Sequence, residues 1–330
     1  MQGRWLAATG ALVVAAAAAC GGNGGGDGDS ARTTAPTEAA AVDEPTVTPV
    51  DDTVDRTRLP VGDDSVSASE TGVGLLCTTM PGGGGGASTQ GPWFNQDGTF
   101  DDEAKYVVEG DVTWTPDLSV TVEGDTRVLT TNNLPDHTTG VFPVAAGTEA
   151  AQIDPNPNAI TEQAFTLEVP ANPTLADEPR CLGGEAGMLL TGVVLNNAVD
   201  AELRDAVAWE VQDSCDGHPH GGGVYHYHSV TDCATDDAGD GHSDLVGYAL
   251  DGFGIYGHAG EDGTLLTNSD LDECHGHTHD IEWDGATVEM YHYHATYEFP
   301  YTVGCFRGSE VASAEGLGGP PAGGGPPPQG

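Results

Sequence analysis

Histidine and tyrosine residues recur in this sequence with a spacing suited to metal binding. Eleven of the twelve histidines lie within His218–His294, and the tetrapeptide Y-H-Y-H occurs twice, as Tyr225–His228 and Tyr291–His294. In a β-strand, side chains alternate between two faces, so the two histidines of each tetrapeptide share one face and the two tyrosines share the other. We therefore predict a pair of metal-binding imidazoles in each copy, backed by tyrosines that pack into the core.

A second histidine motif, D-x-C-x-G-H-x-H, precedes each tetrapeptide, as Asp213–His220 and Asp272–His279. Its glycine permits a tight turn, and its histidines add two imidazoles to each copy. Neutral imidazoles in this number suit zinc or copper, whereas Ca²⁺ and Mg²⁺ prefer oxygen ligands. We expect the two copies to meet around one cation. The predicted ligands are the eight repeated histidines, with His137 as a weaker candidate: His218, His220, His226, His228, His277, His279, His292 and His294.

Other polar residues near the motifs have less specific interpretations. Three carboxylates are expected to accept hydrogen bonds from the second ring nitrogens of the ligands: Asp213, Asp216 and Asp272. His242 and His258 have no histidine at the matching position of the other copy and are expected to be peripheral, and His275 is unmatched as well. Asp251 is a weak catalytic candidate, either as a general base, as a metal ligand or, the interpretation we favour, as a turn-forming residue.

The repetition extends upstream of the histidine motifs. Gly192–Asn197 aligns with Gly247–Gly252 through the pattern G-x-x-L-[N/D]-[N/G]. The second copy carries seven extra residues between the two halves of its histidine motif. We infer an internal duplication of residues 192–233 onto 247–305, with pseudo-two-fold symmetry. Disulfide-linked repeats with histidines that only form hydrogen bonds are the alternative to metal binding.

The fold class predicted from the sequence is mainly β, a sandwich- or barrel-like single domain. Between about residues 90 and 200, short runs rich in Val, Thr and Leu are broken by Gly, Pro and Asn, which is typical of short strands. One segment, Ala201–Val211, has apolar residues near helical spacing and is the best helix candidate. The predicted strands are Tyr106–Val108, Ser119–Glu123, Arg127–Thr131, Ala164–Val169 and Met188–Leu195.

The N-terminus is typical of a protein that is exported. A short apolar run, Trp5–Ala19, ends in small residues directly before Cys20 and resembles a bacterial lipoprotein signal, in which Cys20 is lipidated. An ordinary secretory signal is the alternative. Residues 21–75 and 310–330, rich in Gly and Pro, are expected to be a disordered linker and tail around a folded domain at 76–309. No later stretch is long and apolar enough for a transmembrane helix.

Without Cys20, an even number of cysteines remains for disulfide bonds. In an exported chain this favours disulfides over free thiols, and no close C-x-x-C pair suggests a structural zinc site. Six cysteines allow fifteen pairings, among which the sequence does not choose. The candidates are Cys77, Cys181, Cys215, Cys233, Cys274 and Cys305.

The chain is strongly acidic. Nine basic side chains stand against 52 acidic ones, for a formal net charge of -43. Such a surface repels phosphate backbones, which argues against nucleic acid as a partner, and it concentrates cations. Solubility of an exported or salt-adapted protein is the simpler explanation for this charge.

The motifs together resemble the YHYH domain family of secreted and cell-surface proteins. The resemblance spans roughly residues 90–308 and includes Thr131–His137, Cys215–His218, Gly247–Gly257, Leu271–His277 and Pro300–Gly308, besides both tetrapeptides. It implies one exported β-rich domain and supplies no reaction. Two positions depart from the family pattern: Asn197 stands where glycine is usual, and Gly82–Gly86 is an insertion of this chain.

Three functions are compatible with these features. The first is a cell-surface lipoprotein, anchored to the membrane by its lipid, that binds zinc or copper through the paired histidines. The second is a metal-dependent extracellular enzyme, a hydrolase or an oxidase, although no nucleophile elbow or H-E-x-x-H motif is present. The third is a metal-free adhesion or glycan-binding module stabilised by disulfides. A small-molecule, glycan or protein partner is left unidentified.

Overall fold

The computed structural model describes residues 54–62, 69–77, 86–234 and 241–317. The predicted signal peptide, Cys20, residues 21–53 of the predicted linker, Gly82–Gly85 and the tail beyond residue 317 lie outside the described residues. Within the described residues, no helix has the length and apolar character needed to cross a membrane.

The described chain is mainly β, as predicted. Two short α-helices are α1 (Glu149–Ile153) and α2 (Ala206–Trp209), and single turns of 3-10 helix occupy Arg56–Arg58, Asn268–Asp270 and Ala314–Leu317. In chain order the strands are β1 (Leu59–Pro60), β2 (Thr99–Phe100), β3 (Leu118–Glu123), β4 (Thr126–Thr131), β5 (Phe165–Pro170), β6 (Leu175–Arg180), β7 (Glu185–Leu189), β8 (Val194–Asn196), β9 (Gly217–Pro219), β10 (Tyr225–Tyr227), β11 (Leu245–Ala249), β12 (Gly254–Tyr256), β13 (Gly276–Trp283), β14 (Ala286–His294) and β15 (Phe306–Gly308).

An eight-stranded mixed sheet carries both tetrapeptides. Its strand order is β13-β14-β12-β11-β7-β8-β10-β9, so it is an open sheet with β13 and β9 at its edges. The pairs β8–β10 and β12–β14 are parallel, and the other neighbours are antiparallel. A separate antiparallel sheet, β3-β4-β5, packs against it. Arg127 of β4 makes one of these contacts, since its buried guanidinium lies 4.5 Å from the Tyr248 ring and 4.8 Å from the Trp283 ring.

The internal duplication is visible in this strand order. Read outward from the central antiparallel pair β7–β11, one half of the sheet runs β7-β8-β10-β9 and the other runs β11-β12-β14-β13. The two halves contain corresponding strands in corresponding order, which is the arrangement that a pseudo-two-fold axis between β7 and β11 produces. We call the half containing β10 copy 1 and the half containing β14 copy 2.

The residue alignment predicted for the upstream part of the repeat is wrong by five positions. Gly192 corresponds to Gly252, not to Gly247, because each occupies the same turn: both have positive φ, 87° and 90°. The same backbone hydrogen bond spans this turn in each copy. Leu189 N–H donates to Val193 O in copy 1, and Ala249 N–H donates to Phe253 O in copy 2. The repeat therefore begins at β7. The pattern G-x-x-L occurs at both Gly187 and Gly192, and the predicted alignment paired Gly247 with the second occurrence instead of the first.

Three of the predicted strands match β3, β4 and β5 to within one residue at each end. The predicted strand Met188–Leu195 is instead a hairpin of β7 and β8, because Gly192 reverses the chain. Tyr106–Val108 forms no strand, although Val108 N–H donates to Gln212 O. The predicted helix at residues 201–211 shortens to α2, which begins where the Asp205 side chain accepts the Ala208 N–H.

Three disulfides link the six cysteines as Cys77–Cys181, Cys215–Cys233 and Cys274–Cys305. The second and third lie at corresponding positions of the two copies. Disulfides of this kind are typical of proteins in oxidising compartments.

Part of the segment predicted as a disordered linker belongs to the folded domain. Leu59 is 3% exposed, and β1 pairs with β2 through Leu59 and Phe100. Leu75 donates its N–H to Gly304 O and accepts that of Leu182. These residues are ordered because they bury apolar side chains and pair their backbone groups, which the Gly- and Asp-rich composition around them concealed.

Candidate metal centres

The D-x-C-x-G motif of copy 1 is a turn built around one carboxylate. Asp213 accepts hydrogen bonds from the N–H groups of Cys215 and Gly217, and from the Tyr225 hydroxyl at 2.9 Å. The residue before the glycine, Asp216, takes a positive φ of 52°. A side chain on Gly217 would overlap the Tyr225 ring, so this glycine serves close packing rather than the turn itself.

Copy 2 repeats this turn. Asp272 accepts the N–H groups of Cys274 and Gly276 and the Tyr291 hydroxyl at 3.0 Å, while His275 takes the positive φ, 74°. The turn starts β9 in copy 1 and β13 in copy 2 at matched positions. As a result, His218 lies directly across from His226, and His277 lies directly across from His292.

The predicted alternation of Y-H-Y-H is confirmed in both copies. The rings of His226 and His228 are 5.0 Å apart on one face, and those of Tyr225 and Tyr227 are 5.5 Å apart on the other. In copy 2 the corresponding distances are 5.0 Å between the histidines and 5.3 Å between the tyrosines. All four tyrosines are buried in the hydrophobic core, as expected.

Copy 1 gathers His218, His226 and His228 into a group that we call centre 1. One ring nitrogen of each lies within 4.8 Å of the others, and all three side chains are buried. Asn133 holds the strands that carry the group: its amide donates to Tyr225 O of β10 and accepts Val194 N–H of β8. Asn133 itself is fully buried.

A buried carboxylate lies beside centre 1. Oε2 of Glu210, the residue that follows α2, is 3.2 Å from Nε2 of His218 and 3.5 Å from Nε2 of His228. This oxygen makes no hydrogen bond within the described part of the chain. Burial, followed by the nearby charges of Asp154 and Asp200, raises the pKa of Glu210 well above its ordinary value.

Copy 2 gathers five histidines into centre 2: His242, His277, His279, His292 and His294. Nε2 of His242 lies 3.3 Å from Nε2 of His292 and 3.1 Å from Nε2 of His294. Two nitrogens bound to one tetrahedral Zn²⁺ at about 2.0–2.1 Å are separated by about 3.3–3.4 Å. Nε2 of His242 is therefore spaced from those of His292 and His294 as the ligands of a single ion would be.

The hydrogen bonds of the Nδ1 atoms determine which ring nitrogen of each histidine faces its centre. In copy 1, Nδ1 of His226 and of His228 bond to the carbonyl oxygens of Val224 and Asn197, at 3.2 and 2.5 Å. In copy 2, Nδ1 of His292 and of His294 bond to those of Met290 and Gly257, at 3.0 and 2.8 Å. A carbonyl oxygen only accepts, so Nδ1 carries the proton and Nε2 presents a lone pair to the centre.

The same pattern holds for His242, whose Nδ1 lies 2.8 Å from Ser243 O. The Nε2 lone pair of His242 thus points at those of His292 and His294, across 3.3 and 3.1 Å. Neutral imidazoles in this arrangement repel each other unless a cation lies between them. This orientation by carbonyl acceptors is the one that metal-binding histidines adopt in proteins.

The predicted single centre shared by both copies is wrong. β10 and β14 are separated in the sheet by β12, β11, β7 and β8, so the two histidine groups lie at opposite ends. At about 4.8 Å per strand, five strand spacings amount to about 24 Å. Each copy therefore forms its own group. The strands of the two copies follow one another outward from the central pair β7–β11, which places the histidine strands near the two edges of the sheet.

Not every predicted site residue joins a centre. His137 lies on the tyrosine face, where its Nε2 is 2.6 Å from the Tyr227 hydroxyl. His220 is exposed, with its ring 5.2 Å from that of His226, and it lies outside the closely spaced group of centre 1. His258 stacks on the Tyr297 ring at 4.4 Å, and His275 bonds to His294 O.

The carboxylates predicted to support the ligands have other partners. Asp213 and Asp272 accept from tyrosine hydroxyls and turn N–H groups, and Asp216 accepts from the Ser229 hydroxyl. Asp251 is fully buried and accepts from the Tyr293 hydroxyl at 2.6 Å and from two backbone N–H groups of β15. Backbone carbonyls take the supporting role at the histidines, and Asp251 has the geometry of a structural carboxylate rather than of a general base.

Two residues of the centres were missed from the sequence. His242 was expected to be peripheral because copy 1 has Leu182 at the corresponding position, yet it belongs to centre 2. Glu210 was not singled out, because it belongs to no sequence motif and directly follows the short helix α2. Its position shortly before the D-x-C motif is the one available signal.

Comparison with known proteins bears on the copy 1 half of this arrangement. A family model described as YHYH protein matches residues 166–264. The matched segment contains centre 1 complete and His242 of centre 2, but it ends before β13 and β14. Comparison with curated proteins finds no match, and comparison with solved structures finds none either.

Burial favours the neutral form of the Y-H-Y-H imidazoles by lowering their pKa values. It lowers the pKa of His226 well below 6.5, that of His228 to about 4 and that of His292 to about 2. Protons therefore compete with a metal ion only far below the pH at which an exposed imidazole becomes charged.

We predict that the Zn²⁺ affinity of the protein changes little between about pH 7.5 and about pH 5.5. The reason is that the folded-state pKa values of His228 and His292, about 4 and about 2, lie below this window, so metal binding there displaces few protons from these ligands. Competition titrations with a chromophoric chelator at several pH values measure the effect. A synthetic peptide of residues 286–294, whose imidazoles have ordinary pKa values, is the control and should lose affinity over the same window. An equal loss in the protein would contradict the prediction.

Proposed function

We propose that this protein is an exported, lipid-anchored surface protein that binds two transition-metal ions, one in each copy of the repeat. The observation that carries the proposal is the convergence of Nε2 atoms in centre 2, where Nε2 of His242 lies 3.3 Å from that of His292 and 3.1 Å from that of His294, while the Nδ1 atoms of all three bond to carbonyl oxygens. Centre 1 repeats the same orientation for His226 and His228.

Zinc and copper are the ions that suit these donors. The centres offer imidazole nitrogens almost exclusively, and imidazole is a ligand of borderline softness that favours Zn²⁺ and Cu²⁺ over Ca²⁺ and Mg²⁺. The formal net charge of -43 raises the local concentration of cations around the protein. Capture or delivery of a metal ion at the cell surface is the role that these properties support.

The proposed location is supported by the apolar run that ends at Cys20 and by the three disulfides. Fractionation of cells that express the full chain tests the anchor. The wild-type protein should be found in the membrane fraction and the Cys20→Ser variant outside it. Equal distribution of the two would count against a lipid at Cys20.

Metal content of protein purified without a histidine tag tests the function. After dialysis against Zn²⁺ or Cu²⁺ and gel filtration, plasma mass spectrometry should find two ions per chain. Treatment with a strong chelator should remove them and lower the melting temperature, because an ion bound only to the folded state stabilises it. Absence of stoichiometric metal together with an unchanged melting temperature would contradict the proposal and favour a metal-free binding module.

A further inference from the structure

The two centres differ in the groups that surround them. Centre 2 contains five imidazoles, whereas the closely spaced group of centre 1 contains three, with Glu210 in place of the others. Tetrahedral zinc sites with four protein ligands are closed, and those with three keep a position for an exogenous ligand. Counted by imidazoles alone, centre 2 can fill the coordination sphere of an ion by itself, whereas centre 1 leaves one position for Glu210 or for an exogenous ligand.

Centre 1 also opens onto a cleft. Its three histidines form part of the wall of a cleft of about 590 Å³, together with His220, Glu210 and the loops around Asn156 and Asp200. A cleft of this volume accommodates a small molecule. Among the described residues that line it, none is lysine or arginine, whereas Asp154, Asp200 and Glu210 are acidic. The lining therefore offers no lysine or arginine to pair with an anion, and its carboxylates suit neutral or cationic molecules.

Glu210 is the carboxylate in this cleft whose only close polar neighbours among the described residues are the histidines of centre 1. Asp200 is neutralised by Arg204 at 2.6 and 2.8 Å, and Asp154 accepts the N–H groups of Val211 and Asn156. Glu210 is 5% exposed, and its Oε2 has no hydrogen-bond donor among the described residues. Buried carboxylate oxygens are rarely left unsatisfied, so this one is suited to receive a donor from a bound molecule.

We propose that centre 1 is a binding site for a small neutral or cationic ligand that coordinates the metal through a nitrogen or oxygen lone pair and donates an N–H or O–H to Glu210. This inference rests on the proposed function, because it requires a metal ion at centre 1. It distinguishes the two copies: centre 2 is a closed site, and centre 1 is the site at which a ligand or substrate meets the ion.

Cobalt-loaded protein and imidazole as the probe test this inference, because Co²⁺ substitutes for Zn²⁺ and its visible spectrum reports changes of ligand. Imidazole is small, carries a lone pair and an N–H, and is largely neutral above about pH 7.5. The variant His242→Ala/His292→Ala/His294→Ala retains centre 1 alone, because only two imidazoles remain at centre 2, and His226→Ala/His228→Ala retains centre 2 alone. Imidazole should produce a saturable spectral change in the first variant and none in the second.

Glu210→Gln provides the second readout. In the centre 1 variant it should leave one Co²⁺ bound and weaken imidazole binding by about tenfold, the effect of losing one charge-assisted hydrogen bond. Glu149→Gln, at an exposed position in α1, is the matched control and should leave imidazole binding unchanged.

Three results would overturn the inference: bound Co²⁺ at centre 1 that ignores imidazole, an equal response at both centres, or loss of Co²⁺ in Glu210→Gln, which would make Glu210 a ligand that fills the open position. A chain that binds no Co²⁺ at either centre would instead contradict the proposed function. Circular dichroism and melting curves of each variant establish that it is folded before its spectra are interpreted.

Discussion

Replacing His226 and His228 by alanine should lower the metal content of the protein from two ions per chain to one. The two side chains supply two of the three imidazoles of centre 1, and the remaining His218 cannot hold an ion in competition with a chelator. Centre 2 should keep its ion, because it lies across the sheet and shares no ligand with centre 1. Plasma mass spectrometry on tag-free protein after chelator-buffered dialysis measures the change.

The reciprocal variant, His242→Ala/His292→Ala/His294→Ala, leaves only two imidazoles at centre 2 and should also retain one ion. The combination of all five substitutions should retain none. His137→Ala is the matched control, because this histidine lies on the tyrosine face and bonds to Tyr227. It should leave two ions bound. Loss of both ions from the centre 1 variant or from the centre 2 variant, with the fold intact, would point to one shared centre and contradict the account of two.

Replacing Asp251 by alanine should destabilise the protein by on the order of 3–5 kcal/mol without removing either ion. The substitution leaves the buried Tyr293 hydroxyl and the Gly308 N–H without their acceptor, whereas the Arg307 N–H keeps its bond to the Tyr293 oxygen. It also leaves a space beside Gly308, since the Asp251 side chain packs directly against that glycine. Denaturant unfolding of the metal-loaded protein measures the loss.

Asp251→Asn keeps one acceptor oxygen and should cost less than the alanine substitution. Asp177→Ala, at an exposed position of β6, is the control and should change the free energy of unfolding by no more than about 0.5 kcal/mol. A stable Asp251→Ala protein that no longer binds metal would restore Asp251 as a metal ligand or general base.

Local features of the site follow from the sequence because they depend on period and on short-range turns. The alternation of Y-H-Y-H requires only that the segment be a strand, and it is a strand in both copies. The duplication is readable because D-x-C-x-G-H-x-H and the closing cysteine recur in order. The disulfides Cys215–Cys233 and Cys274–Cys305 join the first cysteine of each copy to its closing cysteine.

The arrangement of the copies does not follow from the sequence, because it depends on which strands pair at the centre of the sheet. Pairing of β7 with β11 places β10 and β14 far apart, whereas pairing of β10 with β14 would have brought the histidines together. No residue pattern distinguishes these two outcomes. The same reason explains why His242 was missed: it reaches centre 2 from the segment before β11, which only the tertiary fold places there.

The identity of the supporting groups was also beyond the sequence. Carbonyl oxygens of Asn197 and Gly257 hold the last histidine of each tetrapeptide, and every residue carries such an oxygen. Sequence inspection therefore favoured side-chain carboxylates, which can be recognised from the residue type. In the structure, Asp213, Asp272 and Asp251 instead accept hydrogen bonds from tyrosine hydroxyls and turn N–H groups on the opposite face.

Anomalous scattering from crystals of the zinc-loaded protein, recorded on both sides of the zinc absorption edge, tests the two-centre account most directly. We predict two peaks per chain at opposite ends of the eight-stranded sheet, each about 2.0–2.1 Å from Nε2 atoms of its own copy's Y-H-Y-H histidines. A single peak lying between the copies, or no peak at either histidine group, would contradict it.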